Sequence, residues 1–373
     1  MKNLLILLVC LICVKCTKSN ESKIKNVLFE SIDSNYSGID FTNQLSYKPY
    51  LNIIEYLYYY NGGGVAVGDI DNDGLEDIFF TANQEIDRLY LNMGNFKFKD
   101  ITRQAKLDLS PSWSNGVTMD DVNNDGFIDI YVSKLPMEGL FKNQSTHNLL
   151  YINNGDLTFT ESSSDYGLDF LGFSTQSTFF DYDRDGDLDM YLMNHATHSV
   201  RSYGTTKKRK EKDSLSGDRL YENLLDEGKN EFKEVTEKSG IFSSPLGYGL
   251  AITTTDINDD GWLDIYVGND FHENDYIYIN NKDKTFTESF KKYFKHSSRF
   301  TMGIDVGDLN EDGKLDIFTT DMMPFDSKIA LKSGGEDTDK LSKIKSDYGF
   351  EPQYSRNHFH LKRPYGDYSE VGL

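Results

Sequence analysis

Cysteine is confined to the start of the chain: Cys10, Cys13 and Cys16 are present and none follows. A disulfide framework is therefore excluded for everything after Cys16, and an exported fold built from this sequence needs another means of support. Long apolar runs are missing too. The stretch LLILLVCLICV after Met1-Lys2-Asn3 is about 11 residues, too short to span a bilayer and suited to a signal peptide. Basic residues are outnumbered, 39 Lys and Arg against 60 Asp and Glu, for a net charge of −21. That balance excludes the basic face a nucleic-acid backbone requires, so no nucleic-acid partner is expected.

What the chain has instead is one nine-residue stretch written five times: DIDNDGLED from Asp69, DVNNDGFID from Asp121, DYDRDGDLD from Asp181, DINDDGWLD from Asp256 and DLNEDGKLD from Asp308. Positions one, three, five and nine are always Asp or Asn. They are Asp69, Asp71, Asp73 and Asp77, then Asp121, Asn123, Asp125 and Asp129, then Asp181, Asp183, Asp185 and Asp189. The last two sets are Asp256, Asn258, Asp260 and Asp264, and Asp308, Asn310, Asp312 and Asp316. Position six is always Gly, needed where the backbone turns in a conformation costly for a residue with a Cβ. Position seven is Leu75, Phe127, Asp187, Trp262 or Lys314. Those side chains have nothing in common, so the backbone carbonyl is the expected donor there.

Hard oxygen donors around one tight turn form a cage for Ca²⁺, which takes roughly 6–8 oxygens at about 2.3–2.6 Å. Asp, Asn and Gly also mark ordinary surface turns, but five copies with one ligand spacing point to a metal, and to about five ions. The loops hold 19 Asp, and five Ca²⁺ would return ten charges, leaving about −11. The loop is not an EF-hand, which needs a bidentate Glu at position twelve between two helices. Position twelve here is Phe80, Val132, Leu192, Val267 or Thr319, and the flanks (GVAVGDI before, DIFFTAN after) read as strands. The loops are expected at β-hairpin turns.

Successive loops are 52, 60, 75 and 52 residues apart, a repeat period that indicates a propeller or solenoid. One repeat reads as four strands: residues 62–68, 77–83, 88–93 and 96–102, the first with small residues suited to a crowded axis and the last two alternating with period two. Residues 148–154, 219–225, 275–281 and 358–362 match the third strand. The chain is all-β, a propeller of four-stranded blades, five of them visible. Residues 28–41 carry the pattern of a blade's last strand before any first strand has appeared. They are expected to complete a later blade, beyond the sequence given. Two insertions, 195–217 with the basic run Lys207-Lys208-Arg209-Lys210, and 321–356, break the period. The first reads as a solvated loop, and EDTDKLSKIKS in the second reads as a short helix.

The segments NGGGVAVGDIDNDG, FFDYDRDGDLD and MGIDVGDLNEDG resemble FG-GAP (VCBS-type) repeats, the units of the integrin α-subunit propeller. GIDFTNQL, GNDFHENDYIYIN and Asp321-Met322-Met323-Pro324 are similar to bacterial surface lipoproteins related to the cartilage acidic (ASPIC/UnbV-type) family. The resemblance implies a seven-bladed ring and calcium at the residues named above. The N-terminus resembles a lipoprotein signal, which places a lipidated cysteine at Cys16, although Lys15 stands where that pattern prefers a small residue. The expected organisation is a signal peptide over 1–16, a polar tether over 17–27 and a propeller over 28–373, incomplete at its C-terminal end.

The function expected is a calcium-binding, lipid-anchored module at the outer membrane or cell surface, holding a glycan or protein ligand on its loop face without being an enzyme. Two alternatives stand beside it. One is a polysaccharide-lyase-like enzyme, for which Asn194-His195-Ala-Thr-His198 offers the one local cluster of an acid and a base. The other is a structural subunit of an outer-membrane uptake complex.

Overall fold

Alternating apolar and polar residues on either side of each loop form antiparallel strands. The computed structural model describes residues 29–136, 147–197, 204–324, 326–333 and 337–372. Within them are five four-stranded antiparallel sheets, each one repeat. Blade 1 is Val65–Gly68, Asp77–Phe80, Arg88–Asn92 and Phe98–Asp100. Blade 2 is Ser114–Asp120, Asp129–Lys134, Leu149–Asn153 and Phe159–Glu161. Blade 3 is Ser174–Phe180, Asp189–Asn194, Arg219–Asn223 and Phe232–Glu234. Blade 4 is Gly249–Thr255, Asp264–Asn269, Tyr276–Asn280 and Phe286–Glu288, and blade 5 is Thr301–Gly307, Asp316–Asp321, His358–Lys362 and Tyr368–Glu370.

The core lies in slabs between consecutive sheets. Phe79, Leu89 and Ile101 of blade 1 meet Ile130, Val132 and Tyr151 of blade 2, and equivalent sets fill the next three interfaces. Each fully buried large side chain is worth roughly 1.5–3 kcal/mol relative to exposure. The first strands converge on a cavity of about 480 Å³, to which the five blades contribute Gly63, Gly116, Gln176, Ala251 and Gly303. The small residues are required there. A Cβ on Gly64 would lie 2.7 Å from the Asn115 carbonyl oxygen of the neighbouring strand.

A second link crosses each interface, and the repeat reading did not anticipate it. The third strand of blades 2, 3 and 4 ends in Asn153, Asn223 or Asn280. The Nδ2 of each donates to the preceding blade's loop: Asn153 to Ile70 O at 2.8 Å, Asn223 to Val122 O at 3.1 Å, Asn280 to Tyr182 O at 2.7 Å. In blade 5 this position is Lys362, and Tyr368 makes the equivalent reach, its hydroxyl donating to Ile257 O at 3.4 Å.

The last-strand pattern of residues 28–41 finds no partner strand among the described residues. Among residues 29–41 there is only a short helix, Ser34–Ser37, and Phe29 is 89 % exposed where its counterparts Phe159, Phe232 and Phe286 are buried. A strand needs a neighbour to receive its hydrogen bonds, and residues 29–32 have none among the described residues. The turn after it does form. Gly38, Gly167 and Gly240 all have positive φ, and a Cβ on each would lie 2.5, 2.9 or 2.6 Å from the carbonyl oxygen of Phe98, Phe232 or Phe286, each opening the fourth strand of the blade it packs on. Residues 33–41 thus enter blade 1 as a crossover.

Replacing Asn280 by Ala removes a buried amide that joins two blades and is expected to lower the unfolding free energy by about 1–3 kcal/mol. Asn92→Ala, whose amide donates within its own blade to Glu76 O, is expected to cost well under that. Urea denaturation of the two variants decides it, and equal losses would contradict the inter-blade role.

Candidate metal centre

Each loop leaves the end of a first strand and closes at position nine, which opens the second strand. The register is the same five times: Asp77 opposite Gly68, Asp129 opposite Asp120, Asp189 opposite Phe180, Asp264 opposite Thr255 and Asp316 opposite Gly307. Position four is left-handed in every copy, with φ between 56° and 64° at Asn72, Asn124, Arg184, Asp259 and Glu311, and the glycine at position six has φ between 80° and 99°. Two such residues in three fold the backbone amides inward. In blade 1 the Asp73 and Gly74 amides donate to Asp69 at 3.0 and 2.7 Å, and the Leu75 amide donates to Asp73 at 2.8 Å. Asp121, Asp256 and Asp308 accept the same pair of amides in their own loops.

Position nine has a different task. Asp129 Oδ2 accepts the Val122 amide at 3.1 Å and its Oδ1 accepts the Asn153 amide at 2.8 Å, so one carboxylate fastens the loop to the third strand. Asp77, Asp189, Asp264 and Asp316 are held in the same way. Against the opposing effect of the amides, burial pushes Asp77 up to about 6, Asp129 and Asp264 to about 7, and Asp189 to about 9. Keeping them ionised calls for a nearby positive charge.

Position two, which carries no ligand, anchors the loop to the core. Ile70, Val122, Tyr182 and Ile257 are all buried in the slabs between blades. Position four reaches the next blade, its loop in the first three copies and the end of its third strand in the fourth. Asn72 Nδ2 donates to Gly126 O at 2.9 Å, Asn124 Nδ2 to Gly186 O at 3.2 Å, the Arg184 guanidinium lies 4.5 Å from the Trp262 ring centroid, and Asp259 pairs with Lys362. The loops therefore form a connected row. The signal was in the sequence, an apolar residue at every position two and Asn at the end of most third strands, but neither residue type declares a role by itself.

One carboxylate oxygen each from Asp69, Asp71 and Asp77 lie within 4.8 Å of one another, and likewise from Asp181, Asp183 and Asp189. In two of the other loops the Asn at position three turns its amide onto position five, Asn123 to Asp125 and Asn258 to Asp260, both at 3.0 Å. Asp71 Oδ1 is buried with no hydrogen-bond partner, an acceptor aimed where only a cation or a donor would satisfy it. An oxygen-only donor set of this kind fits a hard divalent cation. Two lysines approach the same oxygens, Lys284 at 2.7 Å from Asp183 and Lys282 at 3.2 Å from Asp260.

In an antiparallel blade the 1–2 and 3–4 turns share one end and the 2–3 connections occupy the other. The metal loops and the two insertions are therefore on opposite ends of the sheets. The insertion of blade 3 is not a freely solvated loop: Thr206–Lys210 form a 3-10 turn, and Arg209 pairs with the buried Glu273 and stacks on Tyr276 and Phe350. Thr206 also bonds to Tyr348 of the other insertion. The helix expected in that second insertion is present as Asp339–Asp347, capped by Thr338. A cavity of about 550 Å³ opens beside it, lined by Lys291, Asp337, Lys345, Phe350, Glu351 and Tyr354 among others.

His195 is buried, its Nδ1 toward Ala196 O at 2.9 Å and its Nε2 3.3 Å from the Tyr56 hydroxyl, and burial pushes it down to about 4. It packs the core of the insertion end. His198 and Cys10, Cys13 and Cys16 lie outside the described residues. The sequence reading passed over His358 and His360, stacked rings 5.6 Å apart with His296 beside them. Burial lowers both, yet among the described residues the groups tight enough for a metal are all aspartate.

The family model for an FG-GAP-like repeat matches residues 69–132 and 256–319. In sequence the chain is similar to cartilage acidic protein 1 of Mus musculus, 27 % identical over 215 residues, which cover 56 % of this chain and 28 % of that protein. The chain thus spans less than a third of the length of the curated relatives it matches. Among solved structures it is similar to the V. cholerae biofilm matrix protein Bap1 (TM-score 0.36, 12 % identity, 69 % of this chain and 35 % of that one). It is also similar to a GH43 β-1,3-galactosidase (TM-score 0.39, 9 % identity, 84 % and 93 %), and at such scores neither likeness bears on function. With its loops and its hairpin register in agreement, the chain carries FG-GAP-like repeats at residues 69–132 and 256–319 and is similar in sequence to cartilage acidic protein 1.

Proposed function

We propose that this chain is an exported, lipid-anchored binding module in which calcium stiffens one end of a propeller and the opposite end holds a glycan or protein ligand. The observation that carries the reading is the separation of tasks. The loops of blades 1 to 4 are tied to the core and to the next blade at one end, while both insertions, the larger cavity and the exposed rings of Tyr47, Tyr50, Tyr60 and Tyr354 belong to the other. Calcium would be held by positions one, three, five and nine of each loop, and would supply the positive charge that the buried carboxylates lack. Tyr354 beside Lys291 and Glu351 offers what a sugar needs, a flat apolar face edged with hydrogen-bonding groups. No helix among the described residues is long and apolar enough to cross a membrane, and attachment is assigned to a lipid on Cys16.

With affinities near 10⁻⁴ M and about 1 mM calcium, each site contributes on the order of 1.4 kcal/mol by mass action. Five sites then supply several kcal/mol, comparable with the net stability of a domain. Exhaustive chelation is expected to lower Tm by many degrees in a thermal melt, and an unchanged Tm would sink the calcium assignment. Cys16→Ser is expected to release the protein from the membrane fraction; release by Cys13→Ser instead would move the anchor. On a glycan array, binding is expected to weaken in EDTA and to be lost in Tyr354→Ala at unchanged Tm. Binding untouched by Tyr354→Ala would take the ligand off this end of the molecule.

A further inference from the structure

Blade 3 departs from the other four in two features that occur together. Position seven of its loop is Asp187, where the others have Leu75, Phe127, Trp262 and Lys314. The turn between its third and fourth strands covers residues 224–231, three residues longer than the corresponding 93–97, 154–158, 281–285 and 363–367. That turn lies at the same end of the blade as the metal loop, and the added length carries Asp226 onto Asp187. The Asp226 amide donates to Asp187 Oδ2 at 3.0 Å.

One oxygen each from Asp185, Asp187 and Asp226 lie within 4.8 Å of one another. Asp226 and Asp185 are open to solvent, but Asp187 is 3 % exposed and its Oδ1 is buried with no hydrogen-bond partner. A buried acceptor facing two further carboxylates is satisfied by a cation and by little else. Lys284 does not supply it, because its ammonium sits on Asp183 and Glu222.

We infer that blade 3 holds a second divalent cation, of the calcium class, on Asp185, Asp187 and Asp226, beside the one in its loop and sharing Asp185 with it. The charges agree. Asp181, Asp183, Asp185, Asp187, Asp189 and Asp226 with two divalent ions leave −2, the residue that Asp69, Asp71, Asp73 and Asp77 leave with one. The paired ion ties the 3–4 turn to the 1–2 loop.

The inference rests on the reading of the loops as calcium sites. The test counts calcium ions per chain by equilibrium dialysis and native mass spectrometry, for the wild type, Asp226→Ala and Asp187→Leu. Asp226 is exposed and outside the loop, and Leu is the residue blade 1 carries at position seven, so both variants are expected to fold, which a thermal melt in calcium verifies. Each variant is expected to bind one ion fewer than the wild type. An unchanged count in both overturns the second cation and leaves the loop sites standing. A wild type that binds no calcium overturns both.

Discussion

The carboxylate at position nine is the joint on which each blade depends. It is taken out of water, given two backbone amides and placed between the start of the loop and the end of the third strand. Remove it, and the hairpin loses its closure, the third strand its registration and the cage its innermost oxygen. Its cost is electrostatic, since burial favours the neutral form and the surrounding carboxylates add to the effect. A fold that repeats this arrangement five times without a disulfide has concentrated its need for positive charge at one end.

Much of this was legible in the sequence because the constraint is local. Nine residues specify a left-handed position, a glycine and a set of oxygens, and no distant partner is required to read them. The third strands were legible for the same reason, as period-two alternation around Leu89 or Ile277. Residues 28–41 carry a pattern that describes a strand's sides and says nothing of its neighbour. Phe29 has the sequence of a buried residue and the exposure of a free one. Asn153, Asn223 and Asn280 stand in sequence as ordinary members of third strands, while their amides act on the blade before.

The insertions show the converse. The basic run around Arg209 has the composition of a solvated loop, yet a single buried partner, Glu273, draws its one guanidinium inward. Charge composition reports the average of a segment and cannot mark the exception. The same holds for His195, whose place beside Tyr56 depends on a contact between residues far apart in the chain.

Position four touches the next blade in the first four loops, its loop through Asn72, Asn124 and Arg184 and the end of its third strand through Asp259. If calcium fills these cages, as proposed above, a row coupled in this way would behave as a hinged strip whose joints are set by ions. Filling one cage fixes the position-four side chain that its neighbour's turn rests on, so the bending rigidity of the strip rises with each ion in a way that depends on which neighbours are already filled. Such a strip would be only as stiff as its emptiest joint.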